Sequence, residues 1–326
     1  MSTRRSFVAT LALGLLATPR AGRTQPPSRT ARVGWIAASP GPVSTSAFFE
    51  AFRRGMSDKG WVEGRNLAIE ARWGDPNRAR DFTAELVKLK VNVIVAQGPA
   101  VFGAQAVAGS IPIVFGFSGD PVEAKLVASL ARPGGNLTGV TFLALELVGK
   151  RLELVKETLP GLTRVAILAN PQHPGEQAEL KASQAAASRL GLTVQYLPVR
   201  TASDFDAAFD AMTRERAEAI IAFPDASVMR QAKAIAAFAA KRRIPAVSGW
   251  ADFVVAGNLI SYGPNLEEAF RYIPTYVDKI LRGARPAVLP VEQPTKFELA
   301  VNLGAARALG LSLPPSILLR ADRIIE

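Results

Sequence analysis

After about residue 30, short apolar runs alternate with longer stretches whose apolar residues recur at helical spacing. Arg32 to Ala38 has the length and composition of a buried strand, and Phe48, Phe49, Phe52 and Met56 then line one side of an expected helix. Leu67 to Trp73 alternates as a second strand, a helix from about Asn77 to Lys90 follows, and Val91 to Gln97 is a third strand. Ile111 to Phe117, opened by Pro112, is a fourth. Ser118, Gly119, Asp120 and Pro121 break it and are expected to start a helix. After a turn at Arg132, Pro133, Gly134 and Gly135, Asn136 to Phe142 resumes as a strand leading out of this half.

The second half echoes the first. A helix over about Leu145 to Leu159 ends at Pro160 and Gly161, and Arg164 to Ala169 opens a new series of strands closed by Asn170 and Pro171. Leu192 to Val199, Ala219 to Phe223 and Ile244 to Val247 continue it, with a helix over about Ser203 to Arg216. The run VIVAQ at Val93 to Gln97 is mirrored by IIAFP at Ile220 to Pro224, and the break at Ser118 to Asp120 by the loop Ser248 to Asp252. Leu259 to Tyr262 is expected to return toward the first lobe, Asn265 to Leu281 to be a helix, and the stretch Pro286 to Pro294 a further crossing. The pattern therefore predicts an α/β protein of two similar doubly wound parallel-sheet lobes joined by crossing strands. Lobe 1 is expected over 31–143 plus 261–290, and lobe 2 over 144–260 plus 291–326.

In such sheets ligands bind beyond the carboxyl ends of the strands, where loop amides and helix N-termini converge. Candidates at those positions are Ser39 and Ser44 after the first strand, Gln97, Gly98 and Ala100 after the third, and Ser118 and Asp120 after the fourth. The second half offers Asn170, Asp225 and Trp250. Several carry a plain structural reading too: Ser44, Thr45 or Ser46 as a helix cap, Asp225 as another, and Trp250 as core.

Composition narrows the chemistry. The 326 residues include 26 Gly and 23 Pro but no Cys, which excludes disulfides, thiolate metal sites and a cysteine nucleophile. The net charge of +11 raises nucleic acid as a partner, yet Arg4, Arg5, Arg20 and Arg23 fall in the first 26 residues. The remaining basic residues are scattered along helices without interleaved aromatics, so no nucleic-acid partner is expected. His173 is the sole histidine, and no P-loop, no GxSxG elbow and no GxGxxG after the first strand occur. Neither enzyme activity nor a metal or cofactor is expected, although absent motifs leave a carboxylate mechanism open.

Residues 1–26 read as an export signal: Arg4 and Arg5, then Phe7, then a moderately apolar run from Val8 to Ala17 too short to span a bilayer. The paired arginines suit a twin-arginine route or an ordinary secretory one, so the mature chain is expected to be periplasmic.

Three segments carry a family resemblance: IPIVFGFSGDPV with SLARPGGNLTGVTF at Ile111 to Phe142, RLELVKETLPGLTRVAILANP at Arg151 to Pro171, and ARALGLSLPPSILLRADRIIE at Ala306 to Glu326. With these the chain resembles the substrate-binding proteins of bacterial ABC transporters, in the family whose best-known members take tryptophan or tyrosine. The resemblance implies a type I periplasmic binding protein fold, a monomer that closes on a small-molecule ligand and delivers it to an ABC permease. Presentation to a membrane receptor, for sensing, is the alternative partner role. For an amino-acid-like ligand it implies a carboxylate held around Ser39, Ser44, Gly98 and Ala100, and an ammonium facing Asp120 or Asp225. Trp250 and Tyr262 would cover the side chain, with Gln97, Ser118, Thr141 and Asn170 as further polar contacts. Lys125 departs from the family pattern, which more often has glycine there, within the expected DPV helix.

Overall fold

A computed structural model describes residues 30–37 and 46–326. The expected export signal, Ser39 and Ser44 lie outside the described residues.

The first half runs β1 (Ala31–Ala37), α1 (Ala47–Asp58), β2 (Leu67–Trp73), α2 (Ala79–Lys88), β3 (Val93–Gln97), α3 (Ala100–Val107), β4 (Ile113–Phe117) and β5 (Leu137–Thr141). The second runs α4 (Val148–Thr158), β6 (Arg164–Ala169), α5 (Glu176–Arg189), β7 (Thr193–Pro198), α6 (Ala202–Arg214), β8 (Ala219–Ala222), α7 (Ala226–Met229), α8 (Ala232–Arg242), β9 (Ala246–Ser248), α9 (Ala251–Val255) and β10 (Ile260–Pro264). It closes with α10 (Leu266–Leu281), β11 (Phe297–Asn302), α11 (Leu303–Leu309), α12 (Pro315–Arg320) and β12 (Arg323–Ile325).

The strand order is β2-β1-β3-β4-β5 in one sheet and β12-β11-β10-β9-β8-β6-β7 in the other. Without β11 and β12, the second sheet repeats the order of the first: β6 stands for β1, β7 for β2, and β8, β9 and β10 for β3, β4 and β5. Both sheets are covered on both faces, which is why their strands are almost continuously apolar. Successive side chains point to opposite faces. Val33, Trp35, Val93 and Val95 enter one core of lobe 1, while Ile36, Ile94 and Ala96 enter the other. In lobe 2 Val165 and Ile167 divide from Ala166 and Leu168 in the same way.

The lobes also exchange a helix. The chain leaves β5 of lobe 1 and forms α4, which packs on α5, β8, β9 and β10 of lobe 2. It leaves β10 of lobe 2 and forms α10, which packs on α1, β3, β4 and β5 of lobe 1. Asn265 makes the second crossing abrupt, because its Oδ1 accepts from the Glu268 amide at 2.9 Å and caps α10 at once. A third crossing follows Glu292, whose amide donates to Gly139 O at 3.0 Å and whose carbonyl accepts from the Thr141 amide at 2.9 Å.

Three details differ from the sequence reading. The second sheet is mixed: β11 returns from lobe 1 and pairs antiparallel with β10, with Ile260 opposite Val301 and Pro264 opposite Phe297. The segment Leu259 to Tyr262 therefore belongs to lobe 2, and the excursion into lobe 1 begins after Pro264 and reaches Glu292 rather than spanning 261–290. Finally, Pro121 to Lys125 is a turn, not a helix. The Asp120 carboxylate accepts from the Val122 and Glu123 amides and closes the turn, and Lys125 ends it at φ +56°. A left-handed position explains why glycine suits it.

Candidate functional site

Because the two sheets share one strand order, the loops after β3, β4, β8 and β9 face a common gap. On the lobe 1 side, Gly98 adopts φ +57° just after Gln97, and its amide donates to Gly116 O at 2.7 Å. That bond ties the β3 loop to the end of β4, where Gly116 and Ser118 follow. A wall of aromatic rings completes this side. Phe48 of α1 stacks on Phe270 of α10 at 4.8 Å, and Phe142, just past β5, lies 5.5 Å from Phe270. Gly116 leaves room for them, since a Cβ there would meet both Phe142 and Phe270 at 3.1 Å.

Lobe 2 answers with different chemistry. Asp225 caps α7 by accepting from the Ser227 and Val228 amides, which sets Ala226, Met229 and Arg230 against the gap. After β9, Trp250 and Asp252 project from the start of α9. This loop sits close on β10 because Gly263 has no Cβ; one would stand 1.8 Å from Gly249 O. Together the two sides, with Pro99 and Leu266, enclose a cavity of about 270 Å³. That is near the lower end of the roughly 300–1,000 Å³ of small-molecule sites, so one compact solute fills it. Larger cavities of about 310 and 350 Å³ lie along the crossings and behind β10, but neither gathers the strand-end loops.

Charge in the gap is sparse and comes from lobe 2. Loss of water at the cleft raises the Asp252 carboxyl above its usual value, with Arg323 opposing the shift. Arg230 makes no ion pair among the described residues. Behind the lobe 2 wall, Arg151 is almost fully buried, bonding Glu179 at 2.6 Å and Tyr262 O at 3.0 Å. Burial pushes Glu179 up, against the pull of the Arg151 guanidinium.

The lobes touch beside the cavity. Ser118 Oγ and His173 Nε2 share a hydrogen bond of 2.9 Å, the Asp120 amide donates to Pro174 O at 3.1 Å, and the Gly175 amide to Glu123 Oε2 at 3.0 Å. Asp225 Oδ2 lies 3.8 Å from the same Nε2. In a hydrolytic triad the nucleophile and the carboxylate flank opposite imidazole nitrogens. Here both approach one nitrogen, so the cluster joins lobes and is not arranged as a proton relay.

Of the residues singled out in the sequence, the structure gathers Gln97, Gly98, Ser118 and Trp250 around the cavity. Ala100 is fully buried at the start of α3. Asp120 and Asp225 spend their carboxylates closing a turn and capping a helix. The Thr141 hydroxyl donates to Gly119 O at 2.8 Å, and Asn170 accepts from the Gln172 amide while its Nδ2 reaches Ser227. Tyr262 lines the cavity behind β10 instead. Missed were Phe48, Phe142, Met229, Arg230, Asp252, Leu266 and Phe270. Phe48 packs against the same core as Phe49, so its helical spacing carried no sign of a place in the cavity wall.

Two α/β lobes with exchanged helices, closing their strand ends over one solute-sized cavity, define a binding clamp of the type I periplasmic binding protein kind. The chain belongs to the family of ABC transporter substrate binding proteins, whose pattern it matches over residues 42–325. It is 23% identical over 266 residues to a tyrosine-binding protein of Clostridioides difficile, covering 80% of this chain and 76% of that one. A conserved domain protein of Vibrio cholerae superposes with TM-score 0.82 at 27% identity, over 91% of this chain and all of that one. An ABC domain from Streptococcus pneumoniae, solved with L-Trp, gives TM-score 0.82 at 22% identity over 91% of this chain and 100% of its own. Among the described residues no helix is long and apolar enough to cross a membrane.

Proposed function

We propose that this protein is the exported solute-capturing component of an ABC importer, holding one amino acid with an aromatic side chain between its lobes. The observation that carries this reading is the division of labour in the cavity: an aromatic wall from lobe 1 faces the carboxylate of Asp252 and the cation of Arg230 from lobe 2. The tyrosine-binding relative and the L-Trp-bound neighbour agree with it.

Asp252 takes the ligand ammonium, a role the sequence reading gave to Asp120 or Asp225. Arg230 takes the carboxylate, since the Gly98 amide is already spent on Gly116 O, and Phe48, Phe142 and Phe270 receive the ring. Because groups from both lobes bind one ligand, the closed form binds better than the open one, which is the condition for closure. A micromolar ligand supplies about 8 kcal/mol of standard binding free energy, enough to bias a hinge after ordering costs. The closed protein, a periplasmic monomer freed of its signal, is then read by the membrane permease.

Native mass spectrometry of gently purified mature protein, followed by calorimetry with the twenty amino acids, tests this. Stoichiometric aromatic amino acid, recovered unchanged, is the expected result. Turnover of the solute, or no response across the aromatic amino acids, overturns it.

A further inference from the structure

The aromatic wall of lobe 1 has one polar neighbour. Ala37, Gln97, Gly116 and Val140 stand in register across β1, β3, β4 and β5, so their side-chain positions share one face of the sheet. Ala37 and Val140 enter the core beneath α1 and α10, as Val93 and Val95 do earlier on β3. Gly116 has no side chain, and the place its Cβ would take is closed by Phe142 and Phe270 at 3.1 Å. The Gln97 side chain therefore rises one strand, about 4.8 Å, from the position those two rings cover.

Packing alone would put an apolar residue in that row. Other glutamine amides are spent or sealed: Gln105 Nε2 donates to Lys125 O at 3.0 Å, and the Gln195 amide is closed off from water. Gln97 is half-buried and lines the cavity, and among the described residues its amide is neither hydrogen-bonded nor sealed. The other polar groups on this side are engaged, the Ser118 hydroxyl by His173 and the Gly98 amide by Gly116 O. Asp252 and Arg230 stand on the opposite wall, in lobe 2. Gln97 is thus the polar side chain left beside the rings. Closure on an apolar ring strips water from its amide, and an amide so buried without a partner is costly.

We propose that Gln97 is a specificity-determining residue of the site, its amide pairing with a polar atom at the edge of the ligand ring, so that a phenol or an indole is preferred to a bare phenyl. The inference rests on the aromatic amino-acid reading above and sharpens it. An amide carries both an acceptor oxygen and a donor nitrogen. Its oxygen accepts from a phenol O–H or an indole N–H, and its nitrogen donates to a phenol oxygen. A phenyl ring offers neither partner, and a site built to hydrogen-bond a group rejects the analogue that lacks it, because its own polar group is then left unpaired.

The test is calorimetry of the mature protein with L-tyrosine, L-tryptophan and L-phenylalanine, beside the variant Gln97→Leu, which keeps the bulk and loses the amide. The wild type is expected to bind tyrosine and tryptophan each at least about tenfold more tightly than phenylalanine. Gln97→Leu is expected to bring both down to the affinity of phenylalanine, which stays within about twofold of its wild-type value. A wild type that binds phenylalanine as well as tyrosine and tryptophan overturns the proposal, as does a preference that survives the substitution. Equal losses for all three ligands would place the amide on the shared carboxylate or ammonium and overturn it too. If Gln97→Leu does not fold, Gln97→Asn decides: it keeps the amide but withdraws it by one methylene, so it is expected to lose the preference as well, and a full preference there overturns the proposal. Failure of all three ligands to bind a folded wild type removes instead the aromatic amino-acid reading on which the proposal rests.

Discussion

The two lobes share one strand order and are stabilised by different means. Lobe 1 packs Trp35 against Phe49, Phe52 and Phe270 at 5.0–6.1 Å, an aromatic core that continues into the cavity wall through Phe48 and Phe142. Lobe 2 places a buried ion pair, Arg151 with Glu179, behind its side of the gap, and sends charged residues into the cavity. The repeated frame sets where a ligand is held, and the unequal filling sets what kind. A clamp with two aromatic walls would have nothing to hold an ammonium. One with two charged walls would stay hydrated.

The largest expected effect comes from breaking the lobe 2 element. Arg151→Met leaves the Glu179 carboxyl buried without its partner, and removal of one member of such a pair costs about 3–5 kcal/mol. The matching change in lobe 1, Trp35→Ala, opens a cavity in an aromatic core at about 3–5 kcal/mol. Chemical denaturation of each variant separates the two. Arg151→Met is also expected to weaken ligand binding, because Arg151 Nη2 fills the space where a Cβ on Gly249 would stand, at 2.8 Å, under the root of the Trp250 loop. Trp35→Ala acting equally on that loop would remove the contrast.

Next in size is Asp252. Pairing an ammonium with it makes a charge-assisted bond of about 1.5–3 kcal/mol, so Asp252→Asn is expected to weaken amino-acid binding by about ten- to a hundredfold in calorimetry. The same change is expected to raise the melting temperature of the ligand-free protein at pH 7 only slightly, because Asp252 is exposed and solvent screens its charge. The folded carboxyl is pushed above its unfolded value, so it contributes stability below the unfolded pKa and loses it as pH rises through the folded one. The stability gap between wild type and variant should therefore close under acid. Ligand affinity of the wild type runs the other way, falling as acid protonates Asp252. A variant that binds normally returns the ammonium to another group.

These sites differ in how far they could be read in advance. Strand positions were legible because apolar runs of five to seven residues bounded by Gly, Pro and polar loops permit little else. The antiparallel pairing of β11 was not: 261–290 was expected in lobe 1 and 291–326 in lobe 2, but nothing local in Phe297 to Asn302 says in which direction the returning strand meets β10. Phe270 and Leu266 looked like an ordinary amphipathic face, and only the packing of α10 against α1 and the strands of lobe 1 brings them to the cavity. Asp120, Asp225 and Asp252 all follow strands and all suit a cap or a ligand. What separates them is which carboxylates are already spent on backbone amides, a property of folded geometry that residue type does not carry.

The smallest effect is expected where the lobes meet. His173 does not line the cavity, yet its Nε2 bonds Ser118 across the gap, beside the backbone contacts of Asp120 with Pro174 and Gly175 with Glu123. Removing a single neutral hydrogen bond of about 0.5–1.5 kcal/mol from the closed form alone shifts the opening equilibrium by that amount, so His173→Ala should weaken ligand binding about two- to tenfold, mostly through faster release. Because the variant touches no ligand group, the loss should be the same for every ligand. Ser118→Ala should add little on top of His173→Ala if the two side chains act as one contact. Full additivity in that cycle would mean that Ser118 serves the ligand directly, and that the loop at His173 rests on lobe 1 without governing closure.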